Sequence, residues 1–380
     1  MKQDISLIDP NFLARSPLTT EFDWYDITRA PMEIRGLALH QGDMFCRLPK
    51  ELLPQMSEGV QALSYHTAGG RVRFRTNAPK IALRVCSRYA NMMSHMPLTG
   101  SAGVDVYING RFQGSVRPSG DRAGWYEGVV LDPYIPQPGA PAGSVYPGAR
   151  EGLQDVEINL PLYNGLTHML VGIPKGCTPE PPRPYALDTP IVYYGSSITQ
   201  AGCASRPGNS YQSHISRWLE ADYINLGFSG NARGEKEMAA YIASLPMSAF
   251  VCDYDHNAPS YQHLQETHAP LYRAVRTAHP HIPIVFITRP DTDSPVYAAM
   301  EEGYIRKCYD VIYGTHREAL DAGDTNVCFI DGSSLFGSED RDACTVDGCH
   351  PNDLGFYRMA KAIYPCLIER LRNNKPVQFS

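Results

Sequence analysis

Residues 190–202 read PIVYYGSSITQAG, an apolar run that ends on two adjacent serines, Ser196 and Ser197. Three further stretches end on groups able to handle an acyl carbonyl: NLGFSGN with Gly230, DYDHN with Asn257, and DGCHPND with Asp347 and His350. A serine hydroxyl attacks a carbonyl only when a base takes its proton. His350 is the candidate base, and Asp347, three residues earlier, can orient its ring. A serine at a strand-to-helix turn also presents its own backbone N–H near the positive end of the following helix. Gly230 lets a second N–H approach the substrate closely, and the Asn257 amide offers another donor. One such donor is worth about 3 kcal/mol of transition-state stabilisation. Taken singly, the same residues are ordinary turn and cap formers. Their combination is what points to acyl transfer.

These residues need strand ends to hold them, and the pattern after residue 188 supplies them. Apolar runs (IVYYG, DYINLG, SAFVCDYD, IPIVFIT, NVCFIDG) alternate with segments of helical period (SYQSHISRWLE, YQHLQETHAPLYRAVRTAH, MEEGYIRKCYDVIYGTHREALDAG, DLGFYRMAKAIYPCLIERLRN). Such alternation predicts a parallel sheet covered by helices on both faces, with ligands bound beyond the carboxyl ends of the strands. Pro351 and Asn352 are start signals for the last helix. The first half differs: short β-branched and aromatic runs such as RVRFRTNAPKIALRVCS and LQDVEINLPLYNGLTHMLVGIP predict a β-sandwich or jelly roll. In GVDVYINGRFQGSVRP, the Asn109–Gly110 step between two strand-like runs predicts a hairpin. The proline-rich piece CTPEPPRPYALDTP, residues 177–190, reads as an extended linker. Two domains are expected, an all-β unit over residues 1–180 and an α/β unit over residues 188–376.

The four blocks resemble the SGNH, or GDSL-like, hydrolase superfamily in residue type, order and spacing, from residue 190 to about residue 372. GSSIT looks like the family's first block. The resemblance implies Ser197 as nucleophile, Asp347 and His350 as its partners, and Ser197, Gly230 and Asn257 as oxyanion donors. It implies a flavodoxin-like three-layer α/β/α domain. Ser196 stands where the eponymous motif has Asp, and DYDHN stands where the third block usually has Gly-x-Asn-Asp. The front half looks like the β-domain of bacterial two-domain carbohydrate esterases and of some acyltransferases. An esterase acting on short acyl esters, acetyl above all, of a sugar or oligosaccharide is therefore expected, working without metal or organic cofactor. Arg206 is expected to edge the pocket and His256 to touch substrate.

The same residues admit other readings. An acyltransferase would use the same triad, and a sugar-binding protein would not need it. Asp253, Asp255 and His256, with Asp347 and His350, could be imagined as metallophosphoesterase ligands, but the remaining strand ends supply too few partners. Cys344, Cys349 and His350 lack paired Cys-x-x-Cys spacing, which argues against zinc. No glycine-rich loop follows a strand, so nucleotide cofactors are not indicated. The aromatics Trp24, Tyr25, Trp125 and Tyr126 suit either a core or a sugar platform. A net charge of −6 with mixed signs leaves no footprint for nucleic acid or an anionic membrane. Ten scattered cysteines, several inside apolar runs, read as reduced thiols. With acids and prolines in the first 26 residues where a signal peptide needs an apolar core, the protein is expected to be cytoplasmic. A homo-oligomer is left open.

Overall fold

The computed structural model describes residues 21–89, 92–120, 123–131, 152–290, 293–298 and 300–374. Most of the stretch read for a signal peptide, and the outer ends of both expected domain ranges, lie outside the described residues. No helix among those described is long and apolar enough to cross a membrane.

The amino-terminal strands are β1 (Phe22–Asp26), β2 (Glu33–Arg35), β3 (Leu39–Gln41), β4 (Met44–Cys46), β5 (Arg71–Thr76), β6 (Lys80–Ser87), β7 (Val104–Ile108), β8 (Arg111–Val116), β9 (Gly124–Leu131), β10 (Gln154–Asn159), β11 (Leu166–Pro174) and β12 (Pro179–Glu180). Two antiparallel sheets, β1-β11-β6-β9 and β12-β5-β10-β7-β8 with β2 beside β5, face each other. Alternation decides which side chains meet between them. In β10, Gln154, Val156 and Ile158 are buried while Asp155 and Glu157 are not, and Val156 and Ile158 join Phe74, Leu83, Val106 and Val171 in one core. The expected hairpin forms as β7 and β8, with Asn109 and Gly110 at φ 48° and 73°. A two-residue turn that follows the right-handed strand twist needs positive φ at both positions, which Asn and Gly supply.

The second half contributes β13 (Leu187–Gly195), β14 (Ala221–Gly227), β15 (Ala249–Asp253), β16 (Ile284–Ile287) and β17 (Val327–Ile330), all parallel, in the order β14-β13-β15-β16-β17. This is the doubly wound order 2-1-3-4-5. Besides the short α1 (Glu58–Ser64) and α2 (Leu98–Ser101), the helices are α3 (Tyr211–Leu219), α4 (Lys236–Ser244), α5 (Tyr261–Ala278), α6 (Tyr304–Asp321) and α7 (Asp353–Asn374). Apolar side chains of α3 and α7 fill one face of the sheet, and those of α4, α5 and α6 fill the other. α4 escaped the sequence reading because only Met238, Ala239 and Ile242 of its nine residues are buried.

The two halves are joined more closely than a linker suggests. Cys46, Leu48 and Val60 belong to the core under α4, and Met96, Leu162 and Tyr163 belong to the core under α3 and α7. The proline-rich segment is extended, as its prolines require, but it is pinned: β12 pairs with β5, Arg73 donates to the Arg183 carbonyl at 2.9 Å, and its last residues already belong to β13. The all-thiol reading of the cysteines needs correction. Cys328 on β17 and Cys366 on α7 are joined in a disulfide, while the other eight are thiols. Their pairing follows from α7 packing across the last strand, a contact that chain spacing does not display.

Candidate active site

Sheet order brings the carboxyl ends of β13, β14 and β15 side by side, and Ser197, Gly230 and Asn257 follow those ends, while Asp347 and His350 come from the loop before α7. Gly195, the last residue of β13, lies in register with Asp253, and a Cβ there would sit 1.6 Å from the Asp253 carboxylate. Only glycine permits that approach. Asp253 then accepts hydrogen bonds from the Thr199 hydroxyl and the Ser196 backbone N–H, which fixes the turn. Burial pushes its carboxyl up to about 8, against the pull of those donors.

The two serines take different roles. Ser196 is fully buried at 0% exposure, and its Oγ accepts from the Ile198 N–H at 3.2 Å, closing the turn. Ser197 is half-buried, with its Oγ 2.9 Å from His350 Nε2. The expected helix does not follow directly. Residues 198–206 make tight turns and α3 begins only at Tyr211, so the helix-dipole account of the Ser197 N–H fails. The N–H is instead presented by the turn, where Gln200 N–H donates to Ser196 O and Gly202 N–H to Ser197 O. Among the described residues nothing accepts from the Ser197 N–H.

His350 and Asp347 sit in a loop clamped by the Val346 N–H to His350 O bond at 3.0 Å. Asp347 Oδ1 accepts the N–H groups of Cys349 and His350 at 3.0 and 2.7 Å, and Oδ2 meets His350 Nδ1 at 2.8 Å. A carboxylate can only accept, so Nδ1 carries the ring hydrogen and Nε2 presents its lone pair to Ser197. Burial works to raise the Asp347 carboxyl, but the hydrogen bonds from His350 and Cys349 outweigh it and hold it below its ordinary range. Asn352 Oδ1 caps α7 by accepting the N–H groups of Leu354 and Gly355. Asp353, in the first turn of α7, accepts from the Ser205 N–H and hydroxyl, tying the helix to the loop behind the nucleophile.

Gly230 has φ 68° with open space around its Cβ position, so the left-handed backbone alone calls for glycine. Its N–H has no acceptor among the described residues. Asn257 ends a short turn after β15 and donates through Nδ2 to the Phe228 carbonyl at 2.9 Å, which brings its amide onto the Gly230 loop with a second N–H to give. His256 packs on the Tyr297 ring at 6.0 Å, and burial, then the charge of Arg289, pulls its imidazole down to about 3. It is neutral, and its Nε2 lacks a partner among the described residues. Arg206 is corrected: its guanidinium bonds to Tyr107 and Asp105 and lies over Phe112 at 3.8 Å, so it fastens the β-domain instead of edging the pocket. Trp125 is 59% exposed and Tyr126 8%, so the aromatic pair is neither wholly core nor wholly platform.

Several positioning residues carried no sequence signal. Gln200, fully buried, donates through Nε2 to Leu162 O and accepts the Ser229 N–H on Oε1, linking the nucleophile turn, the Gly230 loop and the β-domain. The buried Arg47 donates to the carbonyls of Asn225, Gly227 and Leu63 and packs on the Phe228 ring, bracing the end of β14. Tyr163 donates to Ser197 O at 3.3 Å. Hydrogen-bonded Gln and Arg are legible only once the partner carbonyls are known.

Comparison with known proteins bears on this arrangement. Residues 188–368 match the GDSL-like Lipase/Acylhydrolase family, and residues 22–178 match the family described as the N-terminus of Esterase_SGNH_hydro-type. A protein from Bacteroides ovatus described as a GDSL-like lipase superposes with a TM-score of 0.78 at 26% identity, over 92% of this chain and 98% of its own. A salicylyl-acyltransferase from a tetracycline biosynthetic pathway gives 0.73 at 19% identity, over 93% and 98%. An acetyl xylan esterase from the rumen bacterium Butyrivibrio proteoclasticus gives 0.55 at 12% identity, over 93% and 100%. At such identities the last two speak to the fold alone. No curated protein sequence matches the chain.

Proposed function

The chain belongs to the SGNH/GDSL-like hydrolase superfamily in its two-domain form, and from that premise we propose that it is a serine esterase whose nucleophile is Ser197. The observation that carries the reading is the relay from Asp347 Oδ2 through His350 to Ser197 Oγ, with contacts of 2.8 and 2.9 Å. Ser197 Oγ attacks the ester carbonyl as Nε2 of His350 takes its proton. The carbonyl oxygen, now negative, is held by the N–H groups of Ser197 and Gly230 and by the free N–H of Asn257. His350 returns the proton to the leaving alcohol, and a water activated by the same imidazole releases the acid from the acyl-enzyme. None of these steps calls on a cofactor.

A short acyl group, acetyl in particular, on a carbohydrate is the substrate class we favour, by analogy with an acetyl xylan esterase that shares the fold. Acyl transfer to an alcohol acceptor is the second reading, since a salicylyl-acyltransferase shares the same fold and the same triad would serve it. The eight thiols favour a reducing compartment, and the Cys328–Cys366 bond counts against it. The test is a panel of acyl esters and acetylated oligosaccharides, with and without alcohol acceptors, assayed with the wild type and Ser197→Ala. Turnover that vanishes in the variant supports the reading, and full turnover by Ser197→Ala would falsify it. Products that shift to a new ester when acceptor is added assign the transferase.

A further inference from the structure

The turn behind the nucleophile holds two non-glycine residues in left-handed backbone, Ala201 at φ 68° and Cys203 at φ 75°. Such conformations cost about 1 kcal/mol or more each and cluster at functional sites. At Cys203 the unusual backbone directs a buried thiol toward the loop of Asp347 and His350. A third group arrives from the β-domain: His95, on the loop between β6 and α2, is exposed, and its ring centre lies 5.9 Å from that of His350. One ligating atom from each of His95, Cys203 and His350 falls within 4.8 Å of the other two.

Two imidazoles and a thiol suit a zinc-class ion. Metal–ligand bonds of about 2.0 to 2.3 Å place tetrahedral ligands about 3.5 Å apart, so closure asks for roughly 1 Å of inward movement, which the exposed His95 is placed to supply. His350 is already prepared as a ligand. Asp347 holds its Nδ1–H at 2.8 Å, and a carboxylate behind the far nitrogen is the arrangement that orients metal-binding histidines. The three positions are separated by more than a hundred residues each, so no spacing motif announces them.

We propose that His95, Cys203 and His350 bind a divalent ion of the zinc class and that this binding switches the enzyme off, an inference that rests on His350 being the general base. As the Sγ–metal bond forms, the Cys203 proton passes to solvent. The lone pair on His350 Nε2 is donated to the ion and can no longer accept the Ser197 proton, while water completes the coordination. The metal is thus an inhibitor, and a chelator restores activity where it would abolish that of a metallophosphoesterase.

The experiment titrates the full chain with Zn²⁺ in an esterase assay and, separately, with Co²⁺ while recording the thiolate-to-metal absorption band. The comparison set is His95→Ala, Cys203→Ala and Ser197→Ala. Zn²⁺ is expected to inhibit the wild type reversibly. His95→Ala and Cys203→Ala should keep the metal-free rate yet need at least about tenfold more Zn²⁺ for half-inhibition, since even the outer partners of metal ligands are worth 10- to 100-fold. The Co²⁺ band should appear in the wild type and in Ser197→Ala and be missing in Cys203→Ala. Unchanged Zn²⁺ sensitivity in the variants, or a band that survives without Cys203, overturns the proposal. Should Cys203→Ala fail to fold, His95→Ala decides alone, because its side chain is exposed. The band reports the metal site even if Ser197→Ala keeps its activity, so failure of the functional reading and failure of the metal site are read separately.

Discussion

Replacing Asp347 by Asn isolates what the carboxylate does for His350. The Asn Oδ1 can still accept the N–H groups of Cys349 and His350, which lie at 3.0 and 2.7 Å, so the loop keeps its shape. The change falls on the second oxygen, 2.8 Å from His350 Nδ1, which becomes an NH₂ group. That donor favours the tautomer with the hydrogen on Nε2, facing Ser197 and unable to take its proton. A lost and misdirected hydrogen bond of this kind is worth about 1 kcal/mol. The second loss is the attraction between carboxylate and the imidazolium that forms during attack. At about 4 Å this lies between about 1 kcal/mol in water and about 4 kcal/mol at a protein surface. With the Asp347 side chain 37% exposed and that of His350 25%, solvent screening places it near the middle, at about 2 to 3 kcal/mol. Together these predict a fall in kcat/KM of about 10² to 10³, short of the roughly 10⁴ lost in a triad whose aspartate is buried. Initial rates on a chromogenic acetyl ester, with thermal melting to check the fold, measure it. A variant with unaltered melting that keeps more than about a third of the wild-type kcat/KM, a loss under 1 kcal/mol, would refute the claim that Asp347 orients and stabilises the imidazole.

Two other perturbations probe the rest of the site. Asn257→Ala removes a donor aimed at the transition state, so kcat should fall by about 10² to 10³ with KM close to wild type; a kcat within about threefold of wild type removes Asn257 from the oxyanion site. Asp253 has its carboxyl pushed up to about 8 by burial, so the folded state favours the neutral form. That contribution to stability is complete below the ordinary value of 3.8 and is lost as pH rises through about 8. Urea unfolding from pH 5 to 8 should therefore show the wild type losing stability relative to Asp253→Asn, by as much as about 1 kcal/mol per pH unit. Parallel curves for the two proteins would show that the carboxyl is ionised throughout.

The strands and the reacting groups were legible for different reasons. The parallel strands are apolar runs, buried on both faces along the whole length of β15 and β16 and only partly buried in the edge strand β17, and this pattern survives without any knowledge of partners. Asn109–Gly110 announced its hairpin because few residues tolerate positive φ. Residues 197, 230 and 257 stood out because each follows such a run, and residues 347 and 350 because they precede the last helix. Choosing Ser197 over Ser196 on chemical grounds alone was beyond the sequence. It depends on one hydroxyl being turned inward to cap the turn and the other being turned to His350. Gln200, Arg47 and His95 act across the join between the halves, where function comes from a contact between residues far apart in the chain. Arg206 was misread for the same reason: a cation close in sequence to the nucleophile faces Asp105 and Tyr107 instead.

The central claim is that the hydroxyl of Ser197, activated by His350, becomes acylated. Labelling with a fluorophosphonate, followed by peptide mapping, reads this directly, because only an activated serine displaces the fluoride. The predicted result is a single adduct on Ser197 that is lost in His350→Ala and in Ser197→Ala. An adduct on Ser196, or esterase activity that persists in a protein that takes no label, would contradict the account.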